Sequence, residues 1–267
     1  MIRAKSAISA MTIALCAMSA ANGQTAASNE ESKISCEALA AARGVYEPLM
    51  GAQAGQADAF GSLIGSVESL SGRLQALSNS SQDFRESSER LVRDVNFFSD
   101  VRDTLISARA ALMALRTQPL ELSKLLDQLS TEELANQSPA ARIGASQELR
   151  LIAERISRSA TELGVPGNLN RESVFQLSKD TANFPDLVVG LLEGNPNLRL
   201  QQTRSPTIRM LLREVSVRYE PTRTSAGIVL RSVRELVGAQ VAHANMTSTL
   251  KAVEAIVSPM CGQATGQ

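Results

Sequence analysis

Tryptophan is absent from this chain, and aromatic residues of any kind fill only 3% of its 267 positions. Strand-rich folds lean on aromatic and β-branched side chains to cover a pleated surface, so a sandwich or barrel is disfavoured. Histidine occurs once, at His243. A transition-metal site draws on several ligands at set spacing, and the Glu-x-x-His pair of helical carboxylate sites is missing. Cys-x-x-Cys-His, the attachment signature for covalent haem, is missing too. The chain also lacks a Gly-x-Ser-x-Gly nucleophile turn and a Gly-rich phosphate loop ending in Lys-Ser or Lys-Thr. No metal, no cofactor and no catalytic residue is assigned on this reading. Paired carboxylates such as Glu132 and Glu133 fall where a solvated helix start would carry them.

Net charge is missing as well, with 27 basic and 27 acidic residues. Nucleic-acid binders show a basic excess that neutralises phosphate, so no nucleic-acid partner is expected. Cysteine is nearly as scarce. Cys16 lies in an uncharged, mostly apolar stretch, Ser6 to Ala21, that follows Arg3 and Lys5. Ala21-Asn22-Gly23 then offers a small-x-small cleavage pattern, with Ser19-Ala20-Ala21 as a second one. This is the order of a secretory signal, assigned to residues 1–23. The apolar run falls short of the roughly 20 residues that a spanning helix needs, which argues against an uncleaved anchor, and no later apolar stretch is long enough for a transmembrane segment. Export to the periplasm or beyond is the expectation. Two cysteines then remain, Cys36 and Cys261, near opposite ends of the exported part. One pair in an oxidising compartment points to a disulfide, the other reading being two buried thiols. Closing so long a loop stabilises by at most about 5 kcal/mol in the chain-entropy account.

What the chain has in quantity is Ala, Leu, Ser, Glu, Gln and Arg, good helix formers apart from Ser. Apolar residues recur in steps of three and four from Phe60 through Leu63, Val67, Leu70, Leu74 and Leu77, then Ser81, Phe84, Ser88, Leu91, Val95 and Phe98. After a three-residue stammer the series resumes at Val101, Leu105, Ala108, Leu112 and Leu115. Sustained heptad spacing argues for coiled-coil packing. Run as one helix, about 57–116, the segment would be roughly 84 Å long, and the unbroken register across Ser81 favours that continuity. The turn-like Ser78-Asn79-Ser80-Ser81 offers the alternative of a hairpin, with a cap for a new helix at Ser80. Gly51-x-x-x-Gly55 and Gly61-x-x-x-Gly65 would either admit a second helix at close range or mark a weak entry segment.

Shorter helices fill 119–219. Pro119 suits a helix start, Ser138-Pro139 opens another, and Pro185 separates segments at 171–180 and 186–193. Ser205-Pro206 opens a helix to about Tyr219, and after Pro221 a last long helix covers about 222–258. The expected fold is therefore all-α. It is an elongated helical bundle, one domain over 24–267, with long antiparallel coiled-coil-like helices and a cap of shorter ones.

One charge asymmetry stands out. Arg204, Arg209, Arg213, Arg218 and Arg223 belong to a run of eight arginines between Arg199 and Arg234 that contains only Glu214 and Glu220 as acids. They form a candidate surface for an anionic partner. The competing and favoured explanation is pairing within the chain with Glu86, Glu89, Asp94, Asp100 and Asp103. With catalysis unsupported, the expected function is that of an exported, non-enzymatic interaction or structural protein. It would engage a protein partner in the cell envelope, or itself, through the heptad helices. A subunit or adaptor of a secretion or conjugation apparatus would suit that layout, by an analogy of shape alone. The alternative is a ligand-binding helical bundle, a sensor or carrier.

Overall fold

The computed structural model of the chain describes residues 6–78, 81–165 and 169–262, with side chains from residue 30 onward. Its helices are α1 (Ser6–Gln53), α2 (Ala57–Leu77), α3 (Gln82–Asp100), α4 (Arg102–Ala135), α5 (Ala140–Leu163), α6 (Arg171–Glu193), α7 (Pro206–Arg231) and α8 (Val233–Gly262), with a 3-10 turn at Pro196–Leu198. Among the described residues the only β pairing is a bridge between Asn195 and Leu200, so the fold is all-α. Arg3 and Lys5 of the signal assignment lie outside the described residues, as do the side chains of its apolar run. No described helix is long and apolar enough to cross a membrane.

The chain divides into two compact units, each made of separated stretches. The first takes the chain up to Leu49, Gly61–Phe97 and the chain from His243. Each helix there turns one stripe inward: Ala38, Ala42, Val45 and Leu49 on α1; Leu63, Val67, Leu70 and Leu74 on α2; Phe84, Leu91 and Val95 on α3; Met246, Leu250, Val253 and Val257 on α8. Cys36 and Cys261 are joined, their Cα atoms 4.7 Å apart. One turn before Cys36, the Ser32 hydroxyl donates to the Met260 carbonyl at 2.7 Å.

The second unit, Met50–Phe60 with Phe98–Ala242, holds a four-helix bundle. Helix α4 packs on α5 and α7, and α6 packs on the same two, which closes the ring. Its pairs run antiparallel. On α4 and α5, Ser130 meets Ser146, whereas Ser157 donates to the carbonyl of Arg116. On α5 and α6, Arg155 meets Asp180, whereas Ser173 donates to Glu162. Short connections between helices favour this up-down order.

The single helix expected over 57–116 is corrected to parts of three. Helix α2 stops at Leu77, where the Ser78 amide and hydroxyl both donate to the Gln75 carbonyl. Helix α3 starts at Gln82 with the Ser81 hydroxyl accepting from the Asp83 amide, so the capping residue is Ser81 and not Ser80. The buried Ser71 and Ser88 hydroxyls lie 2.6 Å apart, whereas one helix would separate them by about 25 Å. The hairpin reading is the right one. A second break falls at Val101. Even so, every position of the predicted seam is buried except Ser81 and Val101. The glycine pairs divide. Gly55 makes the α1–α2 turn at φ +70°, and a Cβ there would stand 2.6 Å from the Leu105 carbonyl oxygen, a conformation and a contact that exclude side chains. Gly61 and Gly65 have nothing close to a Cβ position and mark no close approach.

The prolines expected to separate helices lie inside them. Pro119 sits in α4, Pro185 in α6 and Pro221 in α7, and the last helix begins at Val233 after a break at Ser232, not at 222. An interior proline cannot donate to the carbonyl four residues back and leaves it unpaired. At Pro185 that carbonyl belongs to Thr181, and the Tyr219 hydroxyl of α7 donates to it at 3.1 Å. The tyrosine ring is also stacked on Phe184, with centroids 3.9 Å apart. A side chain from the neighbouring helix thus replaces the missing backbone donor.

Two measurements follow from these corrections. Ser71→Cys with Ser88→Cys should oxidise to an intramolecular crosslink in the native protein; a protein that never crosslinks would restore the continuous helix. Tyr219→Phe should destabilise by about 1–3 kcal/mol, the cost of an unmet buried acceptor. In a Pro185→Ala background the regained amide serves Thr181 itself, and the cost should shrink. Denaturant titration of the four species measures that coupling, and strictly additive energies would refute it.

Candidate functional site

Buried ionisable groups often mark function, and the second unit holds several. Glu133 ends the stripe Leu122, Leu126 and Leu129 on α4, and Arg142 begins the stripe Ala145, Leu149, Ile152 and Ile156 on α5. The turn at 136–139 folds the helices back, so the two meet. Arg142 donates through Nη2 and Nε to both Glu133 carboxylate oxygens, at 2.6 and 3.2 Å, and through Nη1 to the carbonyls of Leu191 and Gln201. Glu133 is fully buried and Arg142 is 3% exposed. The expectation that Glu133 occupies a solvated helix start is therefore wrong: it lies in the last turns of α4, inside the bundle. Asp180 is likewise fully buried, held by Arg155 and by the amide of Gln176. Arg155 also reaches Glu148 at 2.8 Å. Burial pushes the Tyr219 phenol well above its ordinary range. These acids are engaged by donors of the same chain and serve the fold.

The α7 arginines do not form one surface. At about 100° per residue, Arg209, Arg213 and Arg223 fall within about 80° of one another, whereas Arg218 lies about 180° from Arg209. Arg218 pairs with Glu214 at 3.9 Å and Arg223 with Glu220 at 3.2 Å, on their own helix. The anticipated pairing with the acids of residues 86–103 takes a different form, because Glu86 and Glu89 pair with Arg90 and Arg85 inside α3. Arg204, Arg209 and Arg213 make no ion pair among the described residues. Beside Arg213, Met210 and Val217 are 62% and 70% exposed on the outward side of α7.

A cleft of about 330 Å³ lies within the second unit, at the lower end of the range for ligand pockets. One face of α4 supplies Leu105, Arg109, Leu112 and Arg116, spaced by three and four. The end of α1 brings Gln53 and Ala54, the end of α5 brings Leu163, Gly164 and Val165, and the first turns of α8 bring Leu236 and Gln240. Both arginines sit at helix C-termini. Arg109 Nη1 donates to the Ala54 carbonyl just past α1 at 2.7 Å, and Arg116 Nη2 to the Thr161 carbonyl in the last turn of α5 at 3.4 Å. Such carbonyls lack helical partners and carry the negative end of the dipole. Gly164 leaves room for the Arg116 guanidinium, since a Cβ there would stand 2.0 Å from Nη2. Nothing in the spacing of arginines along α4 distinguished this pair beforehand, because the partner helix ends come from distant sequence.

Among the described residues no group of three His, Cys, Asp or Glu is placed to hold a metal ion. His243 is half-buried, and that burial pushes its pKa below the ordinary imidazole value. No protein-family model matches the chain, and no curated protein matches it either.

Arg142→Met should cost about 3–5 kcal/mol, because it leaves the Glu133 carboxylate buried without its partner. Adding Glu133→Leu should recover most of that loss. Urea midpoints of the single and double variants read this directly, and a double variant as unstable as the single one would be the contrary result.

Proposed function

We propose that the protein is an exported, non-catalytic interaction protein of the cell envelope, which presents the outward face of α7 to a protein partner. The observation that carries the reading is that face itself, where exposed Met210 and Val217 flank Arg213, a cation with no carboxylate partner among the described residues. Exposed apolar groups rimmed by charge are what protein interfaces use, and an acidic partner surface would complement the arginine. The Cys36–Cys261 disulfide supports the compartment, because such bonds persist where thiols are oxidised. A place in a secretion or conjugation apparatus follows by analogy of shape. The Arg109–Arg116 cleft favours a second reading, a ligand-binding helical bundle.

The test is crosslinking in the native host, followed by capture of the tagged protein from the envelope fraction. The captured chain should begin near Gln24 or Asn22, after loss of the signal, and should carry a stoichiometric partner. Met210→Asp with Val217→Asp should abolish that partner's recovery while leaving the helical content unchanged. Material that still begins at Met1, or capture indifferent to both substitutions, would count against the proposal.

A further inference from the structure

The cleft deserves its own chemistry, and three observations point the same way. Its lining contains two arginines, three glutamines and apolar side chains, and no carboxylate. That sets the pair apart from Arg73, Arg85, Arg90, Arg142, Arg150 and Arg155, each of which has a carboxylate within 4 Å. Arg109 and Arg116 have none among the described residues; each donates to one carbonyl at a helix end. A partial charge at a helix C-terminus offsets only about half of a full positive charge, so the cleft keeps a positive balance. Second, the Arg116 Nε–H is buried with no acceptor. A buried donor without a partner is costly, so the Arg116 guanidinium keeps hydrogen-bonding capacity that the chain itself leaves unmet. Third, Leu112, Leu163, Val165, Leu169 and Leu236 give the walls an apolar character suited to a hydrocarbon or aromatic body.

We propose that this cleft binds a monoanionic amphiphile, a single carboxylate or sulfonate on an apolar body, with Arg116 as the principal anion contact and Arg109 about two turns away as the supporting charge. The proposal rests on the ligand-binding reading and is independent of the α7 face. Guanidinium suits a carboxylate because its fixed fork of donors matches the two oxygens. The absence of lining acids selects against cationic amphiphiles of the same body, which would meet like charge.

Calorimetric titration of the full-length chain with octanoate, 1-octanol and octylamine tests this, with 4-phenylbutyrate distinguishing an aromatic acid from an aliphatic one. Octanoate or phenylbutyrate should bind about tenfold or more tightly than the alcohol or amine, and Arg116→Met should remove about that advantage. Arg213→Met, outside the cleft, should leave binding unchanged. Where Arg116→Met fails to fold by circular dichroism, phenylglyoxal labelling of the unaltered protein takes its place: octanoate must slow modification of Arg116 and not of Arg213. Equal binding of acid, alcohol and amine overturns the proposal while leaving a ligand-binding bundle in place. Lack of saturation by every probe at millimolar concentration overturns both.

Discussion

Every described helix of this protein hides one narrow stripe of Leu, Val, Ile, Ala or Phe, and everything else in the structure depends on those stripes finding partners. With so little aromatic surface, no single side chain anchors the core, and burial is spread over many aliphatic contacts of moderate size. The helices cannot be stable alone in water on propensity. Their ends, breaks and charged residues are arranged so that the stripes stay matched. Gly55 turns the chain where Leu105 leaves room only for backbone, and Ser81 caps α3 as it folds back on α2.

This dependence explains which parts of the fold were legible. Burial was readable nearly residue by residue, because three-four spacing reports the inward face of a helix whatever the chain does between faces. Continuity was not readable for the same reason. Leu77 and Phe84 are seven residues apart, so a four-residue turn between them, with its cap, reproduces a heptad step and looks like uninterrupted helix. Glu133 and Arg142 could have been noticed, since each occupies a stripe position and they carry opposite charges on either side of a short turn. Read singly, Glu133 resembled a surface residue.

The prolines misled through a different route. A proline's helix-breaking tendency, about 3 kcal/mol in an interior position, is a property of an isolated helix, and tertiary packing overrode it. At Pro185 the mechanism is visible: Tyr219 brings a hydroxyl to the orphaned Thr181 carbonyl and a ring to Phe184. The compensating residue lies 38 positions from the carbonyl it serves, so local reading has no access to it. The cleft arginines were hidden in the same way. Their surroundings are helix ends contributed by α1, α5 and α8, whose meeting is a result of folding.

The covalent link between Cys36 and Cys261 closes the chain across a sequence separation of 225. Tension applied at one side before Cys36 and at the other after Cys261 therefore passes through a single sulfur–sulfur bond. The helices in between carry none of that load, and the protein can be pulled upon without being drawn out. Reduction converts the same molecule from an inextensible tie into a chain whose cohesion rests only on side-chain packing.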